Sequence, residues 1–169
     1  MPGACPVEGT GAILETSFGT IVINFIPRVA PCHIANFVTL ANDGFYDGTS
    51  FHRVIPGFMV QGGDPNTRDE DRSNDGLGGP GYELRAEFSG ISHTRGIVSM
   101  ARSAAGPDTA GSQFFIVVGN SPFLDGQYTV FGEVVEGMDV VDLIVSVETD
   151  SNDNPLERVW LDKVTIINA

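Results

Sequence analysis

FHRVIPGFMVQGGD, residues 51–64, is the stretch that decides the fold of this chain. Side chains alternate along a strand, so the stretch predicts two strands, Phe51–Ile55 and Phe58–Gly62, joined by a Pro-Gly turn. The alternation places Arg53 and Gln61 on faces that also carry apolar side chains. The sequence therefore predicts an apolar hollow with a guanidinium and an amide at its edge. Such a hollow suits an uncharged substrate that offers a backbone carbonyl or amide.

Short strands and two helices account for most of the remaining chain. Helical spacing of apolar side chains predicts a helix from Pro31 to about Gly44, and a turn followed by a second helix over Val134–Val145. Alternation and turn residues predict six further strands: Ala12–Thr16, Thr20–Phe25, Gly96–Met100, Gln113–Val118, Thr129–Glu133 and Trp160–Ile167. Eight short strands favour an all-β protein with an antiparallel barrel, although periodicity alone also allows a sandwich.

The length of 169 residues predicts a single domain over residues 11–169, preceded by a flexible lead-in at residues 1–10. No apolar run is long enough to span a membrane. The first ten residues lack the basic start and apolar centre of a secretory signal. We therefore expect a cytoplasmic protein, with an exported form left open if a signal was removed before Met1.

The chain is acidic, with a formal net charge of −13 and Lys163 as its one lysine. This charge disfavours nucleic acid and anionic membranes as partners. Two interpretations stay open: an ordinary acidic soluble protein, or adaptation to high salt. The two cysteines, Cys5 and Cys32, are too few for a disulfide framework and stand in no metal-ligand cluster, so we expect unreactive thiols and no metal.

Two acidic loops interrupt the pattern of strands, at residues 65–81 and 148–157. The glycines of the first lack the Gly-Lys-Ser/Thr ending of a phosphate-binding loop. We expect this loop to be solvated, although loops of this length in compact domains are often functional.

Four sequence blocks in chain order resemble the signature of the cyclophilins, a family of peptidyl-prolyl cis–trans isomerases. They are residues 51–64, GIVSMA at 96–101, GSQFFI at 111–116, and LDG at 124–126 followed by VFG at 130–132. The resemblance implies a closed eight-stranded antiparallel β-barrel whose ends are plugged by the two helices. It also implies rotation of Xaa-Pro bonds in unfolded or flexible protein segments, assistance to folding, and no cofactor.

The implied reaction needs no proton transfer and no covalent intermediate. Its barrier of ~18–20 kcal/mol comes from the partial double bond before proline. Twisting that bond makes the prolyl nitrogen basic, so a donor beside the nitrogen favours the twisted amide over both planar isomers. Arg53 is the candidate donor, and its permanent charge predicts a rate that is nearly flat around neutral pH. Gln61 is the second catalytic candidate, because in the family this glutamine helps to hold the arginine.

Other candidates bind the substrate. The resemblance carries Phe58, Met59, Phe115 and Leu124 to the walls of a proline pocket, where aromatic and thioether surface suits the proline ring. Gln113 is an amide in an otherwise apolar strand and needs a hydrogen-bond partner. The protein's own backbone is one candidate partner, and substrate backbone is the functional alternative.

Several positions depart from many family members. Ala101 and Arg102 follow the block at which relatives offer a backbone edge to an extended peptide, and many carry asparagine instead of Arg102, so only a backbone role is carried over. Phe123 stands where many eukaryotic members have a tryptophan that donates to cyclosporin, so we expect any cyclosporin binding to be weakened. Tyr128 replaces a histidine and can still wall the pocket, and with Phe123 it looks more prokaryotic. His52 faces away from Arg53 in an alternating strand, and we interpret it as structural.

Three functions compete at this point. The leading hypothesis is an active isomerase, monomeric, that acts on proline-containing peptides and unfolded chains. A peptide-binding or chaperone-like module with incidental isomerase activity would use the same groove, and loss of Arg53 would separate the two. A nucleotide- or metal-dependent hydrolase is disfavoured because the sequence shows no nucleophile–base pair and no ligand cluster.

Overall fold

The computed structural model describes residues 5–168, whose strands form a single antiparallel sheet. The strands are β1 (Gly11–Thr16), β2 (Gly19–Phe25), β3 (Thr49–Ser50), β4 (Arg53–Ile55), β5 (Met59–Gly62), β6 (Ile97–Met100), β7 (Phe114–Val117), β8 (Val130–Glu136) and β9 (Trp160–Ile167). The α-helices are α1 (Pro31–Asn42) and α2 (Met138–Val145), and short 3-10 turns lie at Pro65–Arg68 and Pro122–Leu124. The protein is therefore mainly β, as predicted. No helix in the range 5–168 has the length and apolar character that a membrane crossing requires.

The strand order shows that the sheet is strongly curled, since its two end strands are almost consecutive in the chain. The order across the sheet is β3-β9-β1-β2-β8-β6-β7-β5-β4, and only Phe51 and His52 separate β3 from β4. Within the described residues no ladder joins these two strands, so the chain itself closes the barrel at this point. The strand count is nine instead of eight, because Thr49–Ser50 pairs with β9.

The predicted hairpin of the opening stretch is confirmed. β4 and β5 pair with Arg53 opposite Gln61 and Ile55 opposite Met59, so these four side chains share one face. Val54 lies between them on the opposite face and is fully buried in the main core. The hairpin therefore holds its two polar side chains outside the barrel wall.

Both helices pack their apolar sides against the sheet. Phe37 of α1 lies at the centre of the core, with the rings of Phe25, Tyr46, Phe114 and Phe131 at centroid distances of 5.0–5.9 Å. The buried side chains of α2 are the three predicted, Val140, Val141 and Ile144, together with Val145.

A smaller apolar cluster lies outside the main core. Its buried members are Met59, Ile97, Ala101, Phe115, Val117, Leu124 and Val130.

One predicted boundary was wrong: β8 continues to Glu136, so the turn before α2 falls at Gly137, which has the positive φ of +94° that favours glycine.

The prediction of unreactive thiols was wrong, because Cys5 and Cys32 form a disulfide with their Cα atoms 4.9 Å apart. Val7 packs against the main core, and the Thr10 amide donates to the Ile167 carbonyl at 2.8 Å. The part of the predicted lead-in at residues 1–4 lies outside the described residues. The pairing depends on where residues 5–10 pack, and their sequence has no period from which that position could be inferred.

The first acidic loop (residues 65–81) contacts the second acidic loop (residues 148–157), while much of it, including Asp69–Asp71, is exposed to solvent as expected. Arg72 donates to the carbonyls of Pro155 and Leu156 at 2.7 and 2.9 Å. Asp75 forms an ion pair with Arg158, and both side chains are nearly buried. The hydrogen bonds of Arg72 and the ion pair of Asp75 with Arg158, which directly follows the second loop, therefore hold the two segments together.

Candidate active site

Most of the predicted site residues meet at one cavity on the outer face of the sheet. The cavity measures about 120 Å³. It is lined by Arg53, Phe58, Met59, Gln61, Ala101, Arg102, Phe115, Leu124 and Tyr128. We call it the proline pocket. Gln113 and Phe123 are the two predicted site residues that do not line it.

The floor and walls of the proline pocket are apolar and firmly packed. Met59, Phe115 and Leu124 are between 1% and 6% exposed and belong to the smaller apolar cluster. The rings of Phe115 and Tyr128 meet edge-on, with centroids 5.7 Å apart. Because such side chains have little freedom to move, the pocket keeps its shape without a ligand. Its size and surface suit a small apolar ring.

Arg53 stands exposed at the rim of this pocket. Its Nη1 donates to Oε1 of Gln61 at 3.4 Å, which is a long and weak hydrogen bond. Within residues 5–168 no carboxylate lies within 4 Å of its guanidinium. The charge of Arg53 is therefore not neutralised by an ion pair, and most of its N–H groups remain available to a ligand.

Gln113 lies beside the proline pocket, in a second and larger groove of about 510 Å³ that also includes Gln61 and Arg102. Gln61 donates from Nε2 to Oε1 of Gln113 at 2.9 Å. Gln113 in turn donates from Nε2 to the carbonyls of Gly76 and Gly78, both at 2.9 Å. Of the two partners that the sequence left open for Gln113, the protein's own backbone is the one observed.

Phe123 and Arg102 lie at or beside the rim of the proline pocket. Phe123 is 65% exposed and packs its ring on Phe58 at 5.5 Å, so it extends the apolar surface beyond the pocket. Arg102 places its guanidinium 4.7 Å from the centre of the Tyr128 ring and donates from Nε to the Gln127 carbonyl at 2.9 Å. The side chain of Arg102 thus holds a pocket wall in place, a role that comparison with asparagine-bearing relatives did not suggest.

His93 supports the pocket from behind, and sequence reasoning missed it. Its ring stacks on Phe115 with centroids 6.0 Å apart. Nδ1 lies 3.0 Å from Oδ1 of Asp125, and Nε2 lies 3.0 Å from Oγ of Ser99. Burial lowers the pKa of His93, against the opposing effect of Asp125, so the imidazole is neutral at pH 7. No spacing in the sequence links these residues, because their proximity arises only from the fold.

His52 does not take part in the proline pocket, in agreement with the structural interpretation. It is 5% exposed, and burial lowers its pKa. It borders a separate polar cavity of about 310 Å³ between Arg53 and the two acidic loops.

Over the described part of the chain, no three His, Cys, Asp or Glu side chains are grouped so that they could hold a metal ion.

Comparison with known proteins identifies the family. The sequence model described as cyclophilin type peptidyl-prolyl cis-trans isomerase/CLD matches residues 12–166. A peptidyl-prolyl cis-trans isomerase-like 1 from Gibberella zeae is 42% identical over 159 residues, which cover 94% of this chain and 95% of that protein. A peptidyl-prolyl cis-trans isomerase from Synechococcus elongatus is 52% identical over 124 residues, or 73% of this chain and 79% of the relative.

Solved structures agree with the sequence comparison. A cyclophilin-type isomerase from Cryptosporidium parvum, crystallised in the presence of the dipeptide Ala-Pro, superposes with a TM-score of 0.86 at 30% identity. The match covers 94% of this chain and 99% of that one. Sequence, fold and pocket lead to the same conclusion: the chain belongs to the cyclophilin-type peptidyl-prolyl cis–trans isomerase family.

Proposed function

We propose that Arg53 is the group through which this isomerase accelerates rotation about Xaa-Pro bonds. In this mechanism the proline ring occupies the proline pocket, and the Arg53 guanidinium donates a hydrogen bond to the prolyl nitrogen as the amide twists. The observation that carries the proposal is the position of Arg53: a guanidinium without a carboxylate partner, at the rim of an apolar pocket the size of a proline ring.

The hydrogen bond is selective for the twisted amide. In both planar isomers the nitrogen lone pair is delocalised into the carbonyl and is a poor acceptor, whereas in the twisted amide it is localised. A hydrogen bond to a charged donor contributes about 1.5–3 kcal/mol. Since each ~1.4 kcal/mol of such preference is a tenfold increase in rate, this single interaction accounts for about one to two decades.

Gln61 is the partner that keeps the guanidinium in place. Its Oε1 accepts a hydrogen bond from Nη1 of Arg53, and the other nitrogens of the guanidinium remain available to the substrate. The carbonyl side of the substrate would be held by the backbone at Ala101 and Arg102, which lines both the proline pocket and the larger groove. Holding the two sides of one bond separately is what rotation requires.

The proposed substrates are proline-containing peptides and unfolded or flexible protein segments, and the proposed role is assistance to protein folding, by a monomer. The Ala-Pro dipeptide present with the Cryptosporidium parvum relative supports a proline-bearing partner. The exposed ring of Phe123 offers apolar contact but no hydrogen-bond donor, so cyclosporin would bind weakly.

The test is a protease-free isomerisation assay on an Xaa-Pro tetrapeptide with wild type and Arg53→Ala. We expect a decrease in kcat/KM of about a hundredfold, in line with the hydrogen bond removed. Arg95→Ala is the matched control, because Arg95 pairs with Asp142 on α2 and does not line the pocket. Full activity of Arg53→Ala would refute the mechanism, because another group would then be responsible for catalysis. It would favour the alternative of a peptide-binding module with incidental isomerase activity.

A further inference from the structure

The hydrogen bonds around Gln113 fix which way its amide group faces. Both hydrogens of Nε2 are taken by the carbonyls of Gly76 and Gly78, at 2.9 Å each. Carbonyl oxygens accept hydrogen bonds and cannot donate them. The NH₂ group of Gln113 must therefore face the first acidic loop, and its Oε1 must face Gln61.

The orientation of Gln113 dictates that of Gln61 and determines what Arg53 meets. Oε1 of Gln113 requires a donor, so the NH₂ group of Gln61 faces it at 2.9 Å. This leaves Oε1 of Gln61 facing the guanidinium of Arg53. With both amides reversed, Gln61 would present N–H groups to a cation that has only donors, and the contact would be repulsive. Loop carbonyls thus control the environment of Arg53 through two amides.

The loop that supplies these carbonyls is anchored immediately beside them. Asp64 is fully buried, and its Oδ2 accepts from the amide of Gly76. Oδ2 of the adjacent Asp75 accepts from Nη1 of Arg158 and from Nδ2 of Asn154, the latter at 2.9 Å. The Asp75 and Arg158 side chains are 4% and 10% exposed, so solvent screens this pair only slightly.

A second anchor acts on the same loop from further along. Arg72 donates to the carbonyls of Pro155 and Leu156, and Nη2 of Arg158 donates to the carbonyl of Asp69 at 3.0 Å. None of these anchoring residues lines the proline pocket. The first acidic loop is therefore anchored to Pro155, Leu156 and Arg158 on one side and hydrogen-bonded to Gln113 on the other.

We propose that the first acidic loop is a positioning element for catalysis, and that Asp75 and Arg72 are positioning residues that act on Arg53 through Gln113 and Gln61. The inference rests on the proposed role of Arg53. Anchoring the loop holds the Gly76 and Gly78 carbonyls still, which holds both amides and keeps an acceptor in front of the guanidinium. Release of the anchor lets the two amides reorient. Arg53 then loses its acceptor and can move away from the prolyl nitrogen.

The test compares Asp75→Asn with Asp142→Asn, which breaks the Arg95–Asp142 ion pair away from the loop. The concentration of an Xaa-Pro tetrapeptide is varied up to saturation, so that kcat and KM are measured separately. Asp75→Asn should lower kcat by about five- to tenfold, because small misplacements of a catalytic group lower rates by such factors. KM should change by less than about twofold, since the walls that bind the proline ring are intact. Asp142→Asn should leave both constants unchanged.

Arg72→Met serves as the second variant, so that the test stands if Asp75→Asn does not fold. It removes the bonds to Pro155 and Leu156 without leaving a buried charge, and it should lower kcat in the same direction. Circular dichroism and thermal unfolding of each variant establish that the folded fraction at assay temperature equals that of wild type.

The decisive readout is a double-mutant cycle with Gln61→Ala. Because the coupling runs through Gln61, neither Asp75→Asn nor Arg72→Met should lower kcat further in the Gln61→Ala background. Unchanged kcat in both single variants, an equal loss with and without Gln61, or a change confined to KM would each overturn the positioning role. Arg53→Ala tests the proposed mechanism separately, since it leaves the loop and its anchors untouched.

Discussion

Stability should fall as pH drops from 7 to 5, because all three histidines of the chain are buried. Burial lowers the pKa of His33, His52 and His93 below the ordinary value of 6.5. The unfolded chain therefore binds more protons than the folded one in this range, and stability rises with pH. The contribution is fully present above about pH 6.5 and is lost as pH falls toward the folded-state pKa values.

The size of the effect follows from the number of imidazoles. Each one that titrates only in the unfolded chain gives a slope of ~1.4 kcal/mol per pH unit, so three give at most about 4 kcal/mol per unit. Integrated from pH 7 to pH 5, the upper limit is about 6 kcal/mol, which is a large part of the 5–15 kcal/mol typical of a domain. Ordinary carboxylates titrate mainly below this range and contribute little to it.

Urea unfolding at pH 7, 6 and 5 measures the slope directly. The variant His93→Gln keeps an amide that can bond to Asp125 and Ser99 but no longer titrates, so its slope should be about one third smaller. Unfolding free energies that are equal at pH 7 and pH 5 would refute the assignment of buried neutral imidazoles. The isomerisation rate per folded molecule should stay flat from pH 6.5 upward, because the proposed mechanism transfers no proton and uses a guanidinium donor.

Further expectations concern the disulfide, cyclosporin and salt. Replacing Cys5 and Cys32 by serine opens a loop with a sequence separation of 27 residues and should lower the unfolding free energy by about 3.5 kcal/mol. Calorimetry would show a lower Tm with unchanged activity, and an unchanged Tm would contradict the pairing. Phe123→Trp adds a donor at the exposed rim and should tighten cyclosporin binding by about tenfold in a fluorescence titration, whereas equal affinity would remove Phe123 as the cause of weak binding. If the net charge of −13 reflects salt adaptation, Tm should rise between low and molar KCl, and a constant Tm excludes that interpretation.

The hairpin with Arg53 and Gln61 could be predicted from sequence because it depends on local order. Alternation fixes the face of each side chain, and a Pro-Gly turn fixes the reversal. The helices were predictable for the same reason, since the spacing of Val140, Val141 and Ile144 is a local pattern. The apolar pocket walls needed the family resemblance, because periodicity cannot tell an outward apolar residue from one in the core.

What sequence reasoning missed depends on contacts between distant segments without period. The Cys5–Cys32 pairing brings an irregular segment to α1. The stacking of His93 on Phe115 joins a loop to β7. The bonds from Gln113 to the carbonyls of Gly76 and Gly78 join the residue before β7 to an acidic loop, and backbone carbonyls carry no sequence signal. Such contacts can be seen only in the folded structure, because the residues that meet are far apart in the sequence.

The central claim is that Arg53 stabilises the twisted amide more than either planar isomer. Exchange NMR of an Xaa-Pro peptide at saturating enzyme measures cis–trans interconversion on the protein, together with the affinity for each isomer. For Arg53→Ala we predict that interconversion of the bound peptide slows by about a hundredfold, while both affinities change by less than about threefold. Unchanged interconversion of the bound peptide, with the loss confined to affinity, would contradict the claim and make Arg53 a binding residue only.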